Sequence, residues 1–273
     1  MLALRNFMLD LSRPRVMGIL NVTPDSFFDG GRHVDTAGAL AHARQMAADG
    51  ADVIDVGGES TRPGAAAVSE DEELKRVLPV IEALAGEGLF VSADTRRPAV
   101  MRAAIAAGAA MVNDVGALRV PGAMDAVART DAAVCLVHMQ GEPGTMQRAP
   151  QYADVVREVR EFLVARARAC EDAGIAHARI VVDPGFGFGK TLAHNLALLR
   201  ALPDLASAGY PVLAGLSRKS SLGTITGRPI EERMPASVAA ALAAVTRGAS
   251  IVRVHDVRET VDALKVWLAV DQG

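Results

Sequence analysis

Eight short apolar runs, separated by connections that are mostly long enough to hold a helix, constrain this chain more than any other feature. The runs cover residues 16–21, 51–56, 89–94, 110–114, 132–138, 178–183, 211–217 and 250–255. Each is bounded by Gly, Pro, Asp or Asn and lacks the polar alternation of a half-exposed strand. Such runs suit parallel strands buried on both faces. Helical periods fall at 35–49, 70–85, 154–173 and 235–247, and a last one at 258–270 can close the set. Eight βα units in 273 residues favour a closed (β/α)₈ barrel, with an open doubly wound sheet as the alternative. No linker or low-complexity tract interrupts the pattern, so one domain over residues 1–273 is expected.

Composition narrows the partners. Half of the residues are hydrophobic and the net charge is −3, which gives no broad field for nucleic acid or an anionic membrane. The first 15 residues include Asp10, Arg13 and Arg15 and have no apolar h-region, and the longest apolar runs are too short to span a bilayer. Cys135 and Cys170 read as reduced structural thiols, so the expected compartment is the cytoplasm.

In a parallel barrel, functional groups gather at the C-terminal ends of the strands. Here seven of those ends carry polar residues: Asn21, the segment 57–64, Asp94, Asn113 with Asp114, Asp183, the segment 217–220, and Arg253 with His255. Any one of them is explained as a turn or helix cap. All seven share one rim, and together they predict an active site. Arg253 and His255 are two residues apart and so share a strand face; with Lys219 they place positive charge where this fold binds phosphate. A structural ion pair is the alternative for Arg253 alone. Asp94, Asn113 and Asp183 bring carboxylate and carboxamide groups suited to the donors of a polar heteroaromatic ligand.

Several motifs fail. The string PGFGFGKT at 184–191 has proline where a P-loop requires its first glycine. It reads instead as a glycine loop that admits close backbone approach, with Phe186 and Phe188 interleaved. The histidines show no HExxH or HxH spacing, so a metal cage made by protein alone is not expected. Mg²⁺ bridging a diphosphate and Asn21 fits the preference of that ion for substrate phosphates. His42 and His194 read as surface helix residues, and His138 as either a packed core group or a rim contact. No nucleophile elbow is present and neither cysteine has a basic neighbour, so a covalent enzyme intermediate is unsupported.

The strings MGILNVTPDSF (17–27), DVGGESTRPG (55–64), DPGFGFGK (183–190), SRKS (217–220) and RVHD (253–256) resemble, in this order, the signature segments of the dihydropteroate synthases. The resemblance covers residues 15–267. It implies a (β/α)₈ barrel, a homodimer, and displacement of diphosphate from 6-hydroxymethyl-7,8-dihydropterin diphosphate by para-aminobenzoate. By the same resemblance, Asp94, Asn113, Asp183 and Lys219 hold the pterin. Asn21, Arg62, Arg253 and His255 hold the diphosphate and its Mg²⁺. Phe27, Thr61, Pro63, Phe188, Lys219 and Ser220 shape the aminobenzoate site, and Asp29 joins Asp94 in stabilising positive charge on the pterin methylene. Phe28 stands where relatives often have a small polar residue, which bears on sulfonamide-type inhibitors. Two rivals remain: a pterin-dependent methyltransferase, which has no use for Arg62, Arg253 and His255 together, and a non-catalytic pterin-binding paralogue.

Overall fold

The computed structural model describes residues 1–5, 7–23, 36–59, 68–141, 146–147 and 149–271. Eight parallel strands close into a barrel, which removes the open-sheet alternative. They are β3 (Arg15–Asn21), β4 (Val53–Gly57), β5 (Val91–Asp94), β6 (Met111–Asp114), β7 (Ala133–Val137), β8 (Ile180–Asp183), β9 (Val212–Ala214) and β10 (Ala249–Val254). Each pairs with its sequence neighbour, and β10 closes on β3 through Val252↔Val16 and Arg253↔Met17. Every expected run overlaps one of these strands; β3, β4 and β10 each extend one residue beyond their runs, and the other five strands are one to four residues shorter than theirs. Trimming is greatest at β9, where Pro211 lacks an amide donor and the chain turns after Gly215.

Helices surround the barrel: α1 (Thr36–Ala48), α2 (Glu70–Gly86), α3 (Pro98–Ala106), α4 (Ala123–Ala128), α5 (Val155–Asp172), α6 (Leu192–Arg200), α7 (Leu202–Ala206), α8 (Ser220–Thr226), α9 (Met234–Val245) and α10 (Val257–Asp271). α5 shows why they dock. Val155, Val159, Leu163, Ala167 and Cys170 fall at spacings of three and four and are all buried, while charged residues occupy the other faces. α2 starts at Ser69, whose side chain accepts from the Glu72 amide, and four acidic residues in its first turn favour the positive end of its dipole. The alanine-rich α9 lays Ala240, Ala241, Ala244 and Val245 on its own barrel.

The N-terminus holds a feature absent from the expected elements. β1 (Leu2–Leu4) and β2 (Phe7–Leu9) form an antiparallel hairpin, and Leu2, Leu4 and Leu9 are buried with the inward side chains Met17, Val53, Met111, Val181, Leu213 and Ile251. The hairpin thus seals one end of the barrel interior. Each buried leucine contributes about 1.5–3 kcal/mol. No helix among the described residues is long and apolar enough to cross a membrane.

Candidate active site at the polar end of the barrel

Strand alternation builds the site. Moving two residues along a strand keeps the same face, so inward Val53 is followed by Asp55, Met111 by Asn113, Val181 by Asp183 and Ile251 by Arg253. The barrel interior changes from apolar to ionic within one layer. β5 contributes Ser92 and Asp94, in register with Asp55 and Gly57 of β4, and Asp94 lies beside Asn113. Gly215, just after β9, borders this layer: a Cβ built on it would make ordinary contact, 3.9 Å from both the Arg253 Cβ and Asp183 Oδ2.

Arg253 organises the layer. Its Nε donates to Asp55 Oδ2 at 2.6 Å and its Nη2 to Asp94 Oδ2 at 2.6 Å. Asn113 Nδ2 donates to the same Asp55 oxygen at 3.0 Å, which fixes the orientation of the amide. The ion-pair alternative for Arg253 is therefore realised in the geometry, and two of its three nitrogens are engaged. Asp55, fully buried, was not singled out from the sequence because it lies inside an apolar strand rather than at its end.

Three buried polar atoms here have no partner among the described residues: Asp55 Oδ1, Asn113 Oδ1 and Ser92 Oγ. An unmade hydrogen bond costs a buried group about 1–3 kcal/mol, so two orphaned acceptors in one pocket point to a donor-rich ligand. Charge leads to the same conclusion. Burial pushes Asp94 up to about 7, with Asp55, Glu73 and Asp114 adding to the rise and Arg253 opposing it. Burial likewise raises Asp183 to about 6, against the Gly185 amide, Lys219, Lys190 and Arg253. For Arg253 burial disfavours the cation, but Asp55 and Asp94 outweigh it and the guanidinium stays charged. Lys219 falls to about 8, through burial first and then Arg253.

The turn after β9 aims Lys219 inward. Arg218 takes a left-handed conformation (φ 56°), its side chain pairs with Asp256, and its amide donates to Ser237 Oγ at 2.9 Å. Lys219 then lies with Nζ 4.2 Å from the centroid of the Phe188 ring. His255 stands beyond β10, its Nδ1 3.0 Å from Ser217 Oγ, and that oxygen also accepts from the His255 amide at 3.2 Å. Asn21 is half-buried at the end of β3, in register with Gly57, and Ser220 is exposed at the start of α8.

The structure therefore brings Asp94, Asn113, Asp183, Lys219 and Arg253 into one mouth with Phe188 at its side. Phe27, Phe28, Asp29, Thr61, Arg62 and Pro63 lie outside the described residues. His138 proves to be a packed core group: it is buried, edge-on to Phe162, and pushed down to about 3 by burial and by Lys190. His42 is exposed on α1, and His194 is half-buried and closes a capping box on Thr191.

The chain folds as a closed parallel barrel with unpartnered buried acceptors at its mouth, and its class is that of the pterin-binding enzymes: a family model described as "Pterin binding enzyme" matches residues 17–255. Dihydropteroate synthase of Neisseria meningitidis serogroup B is 55% identical over 271 residues, covering 97% of this chain and 95% of its own length. Among solved structures, Xanthomonas albilineans dihydropteroate synthase with 4-aminobenzoic acid superposes with a TM-score of 0.92 at 58% identity, over 97% of this chain and 96% of that one. Burkholderia cenocepacia dihydropteroate synthase complexed with 7,8-dihydropteroate gives a TM-score of 0.91 at 56% identity, over 99% and 96%. The chain belongs to the dihydropteroate synthase family.

Proposed function

We infer that the mouth is where this chain joins a dihydropterin to para-aminobenzoate, and that Asp94, Asn113, Asp183 and Lys219 hold the pterin. The chain is a transferase that forms a C–N bond, condensing 6-hydroxymethyl-7,8-dihydropterin diphosphate with para-aminobenzoate and releasing diphosphate. One observation carries the pterin assignment: the orphaned acceptors Asp55 Oδ1 and Asn113 Oδ1 lie in a layer of buried carboxylates. An aminopyrimidine edge is rich in N–H donors and supplies what those oxygens lack.

The reaction follows from the same electrostatics. Asn21, Arg62, Arg253 and His255 hold the diphosphate, and their positive charge and dipoles stabilise it as it leaves. The C–O bond breaks ahead of C–N bond formation, and positive charge on the pterin methylene is stabilised by Asp94 and by Asp29. No enzyme nucleophile takes part. The aminobenzoate amine attacks the methylene and its proton passes to solvent. Phe27, Thr61, Pro63, Phe188, Lys219 and Ser220 shape the site that positions it. A sulfonamide that imitates aminobenzoate would compete for that site.

Mg²⁺ fits the donor set. No group of three or more His, Cys, Asp or Glu among the described residues could cage a metal, but Asn21 offers a neutral hard oxygen at the rim beside the proposed diphosphate position. When bound there, the ion adds charge neutralisation at the leaving group. The family also brings the expectations of a homodimer and a cytoplasmic location.

Asn113→Leu tests the pterin assignment. It removes the orphaned acceptor and the donor to Asp55, and should weaken binding of the dihydropterin diphosphate at least tenfold by calorimetry while the variant remains folded. Unchanged affinity would place the pterin elsewhere.

A further inference from the structure

Lys190, which the P-loop comparison left without a role, is only 3% exposed, and its ammonium sits among four acceptors. Nζ lies 2.9 Å from His138 Nδ1, 3.0 Å from the Gly185 carbonyl, 3.0 Å from the Phe188 carbonyl and 3.2 Å from the His138 carbonyl. Burial lowers Lys190 to about 7, with Asp183 opposing, yet the acceptor set favours the cation: an ammonium offers it three protons, whereas a neutral amine offers two and turns a lone pair toward acceptors. His138 is buried and held neutral, and opposite an ammonium its Nδ1 is the accepting nitrogen. The lysine therefore ties the loop after β8 to the chain leaving β7 through carbonyls of both.

The loop is shaped for this grip. Gly185 and Gly189 have φ of 67° and 63°, and a Cβ on either would collide with the carbonyl of His138 or of Gln140. Two further backbone groups are held: the Gly187 amide donates to Asn195 Oδ1 at 2.8 Å, and Tyr152 Oη donates to the Gly189 carbonyl at 3.0 Å. A Cβ on Gly187 would come within 3.1 Å of Lys219 Cδ, and Lys219 Nζ covers the Phe188 ring. Pinning the Phe188 carbonyl holds the backbone from which its ring projects, and that ring is the seat of the Lys219 ammonium.

We propose that Lys190 is a positioning residue that fixes Phe188, and through it Lys219, on the aminobenzoate side of the mouth. This rests on the assignment of Phe188 and Lys219 to the aminobenzoate site.

The test is a double-mutant cycle of Lys190→Met and Phe188→Leu on the full chain, reading kcat and the KM of each substrate. Phe188→Leu alone must raise the KM for aminobenzoate; if it does not, the site assignment fails, and the positioning role with it. Given that rise, Lys190→Met is expected to raise the same KM at least tenfold. The KM for the pterin diphosphate, whose other holders Asp94, Asn113 and Asp183 are untouched, should rise less than the KM for aminobenzoate. In the Phe188→Leu background, the effect of Lys190→Met should shrink to twofold or less. An equal effect in both backgrounds, or none, would overturn the positioning role while leaving the site assignment intact. If Lys190→Met does not fold by near-ultraviolet circular dichroism, Lys190→Gln replaces it. Failure of both to fold would show a purely structural lysine and overturn the proposal.

Discussion

Asp183→Asn should make the protein more stable at neutral pH while weakening pterin binding. The folded protein raises the Asp183 carboxyl from 3.8 to about 6, chiefly by burial. A carboxyl whose pKa is higher in the native state binds protons more tightly there, so its contribution is full below pH 3.8. That contribution declines as pH rises and is lost above about 6. The interval corresponds to about 3 kcal/mol that ionisation costs the native state at neutral pH. Asparagine imitates the protonated group and still offers Oδ1 to the Gly185 amide, which now donates to Asp183 Oδ1 at 2.6 Å. Urea unfolding should show the variant more stable by up to about 3 kcal/mol at pH 7.5, with the gain shrinking toward zero at pH 4. A gain of that size corresponds to a rise in Tm of roughly 6 °C. The same variant should bind the pterin diphosphate at least tenfold more weakly, because a charged acceptor is lost. Equal stability of variant and parent at pH 7.5, with parallel pH profiles, would refute the argument that this carboxylate is held at a cost for the sake of its ligand.

Two further outcomes follow from other parts of the chain. Glu73 is 1% exposed and pairs with Arg97, which also reaches Glu59 and the Val68 carbonyl; Glu73→Ala should lower unfolding free energy by about 3–5 kcal/mol by denaturant titration, because it leaves a largely buried guanidinium short of a partner. If Mg²⁺ binds as proposed, through substrate phosphates, removal of divalent ions by a chelator should abolish turnover and leave Tm within about 1 °C, with Mg²⁺ restoring activity; no protein cage for a metal occurs among the described residues. A large fall in Tm on chelation would instead indicate a structural metal.

The barrel was legible because parallel strands buried on both faces leave unbroken apolar runs, and the polar strand ends marked the rim. β1 and β2 were not legible. Three-residue strands such as Leu2–Leu4 are too short to show alternation, and their burial comes from the far end of the barrel rather than from local pattern. Asp55 was passed over for a related reason. It differs from its apolar neighbours by one residue, and its partner Arg253 is 198 positions away. The sequence marked Arg253 as a site residue, yet only the closed barrel reveals that it bridges two carboxylates. Lys190 was hidden by its setting in a P-loop lookalike, where a lysine is expected to face phosphate. Here four inward acceptors turn it into the protein.

The most direct measurement is diphosphate release from 6-hydroxymethyl-7,8-dihydropterin diphosphate with Mg²⁺, with and without para-aminobenzoate, following 7,8-dihydropteroate in parallel. Diphosphate and dihydropteroate formed in equal amounts, dependent on aminobenzoate, is the predicted result. Pterin binding that yields neither product would contradict the account and restore the non-catalytic alternative.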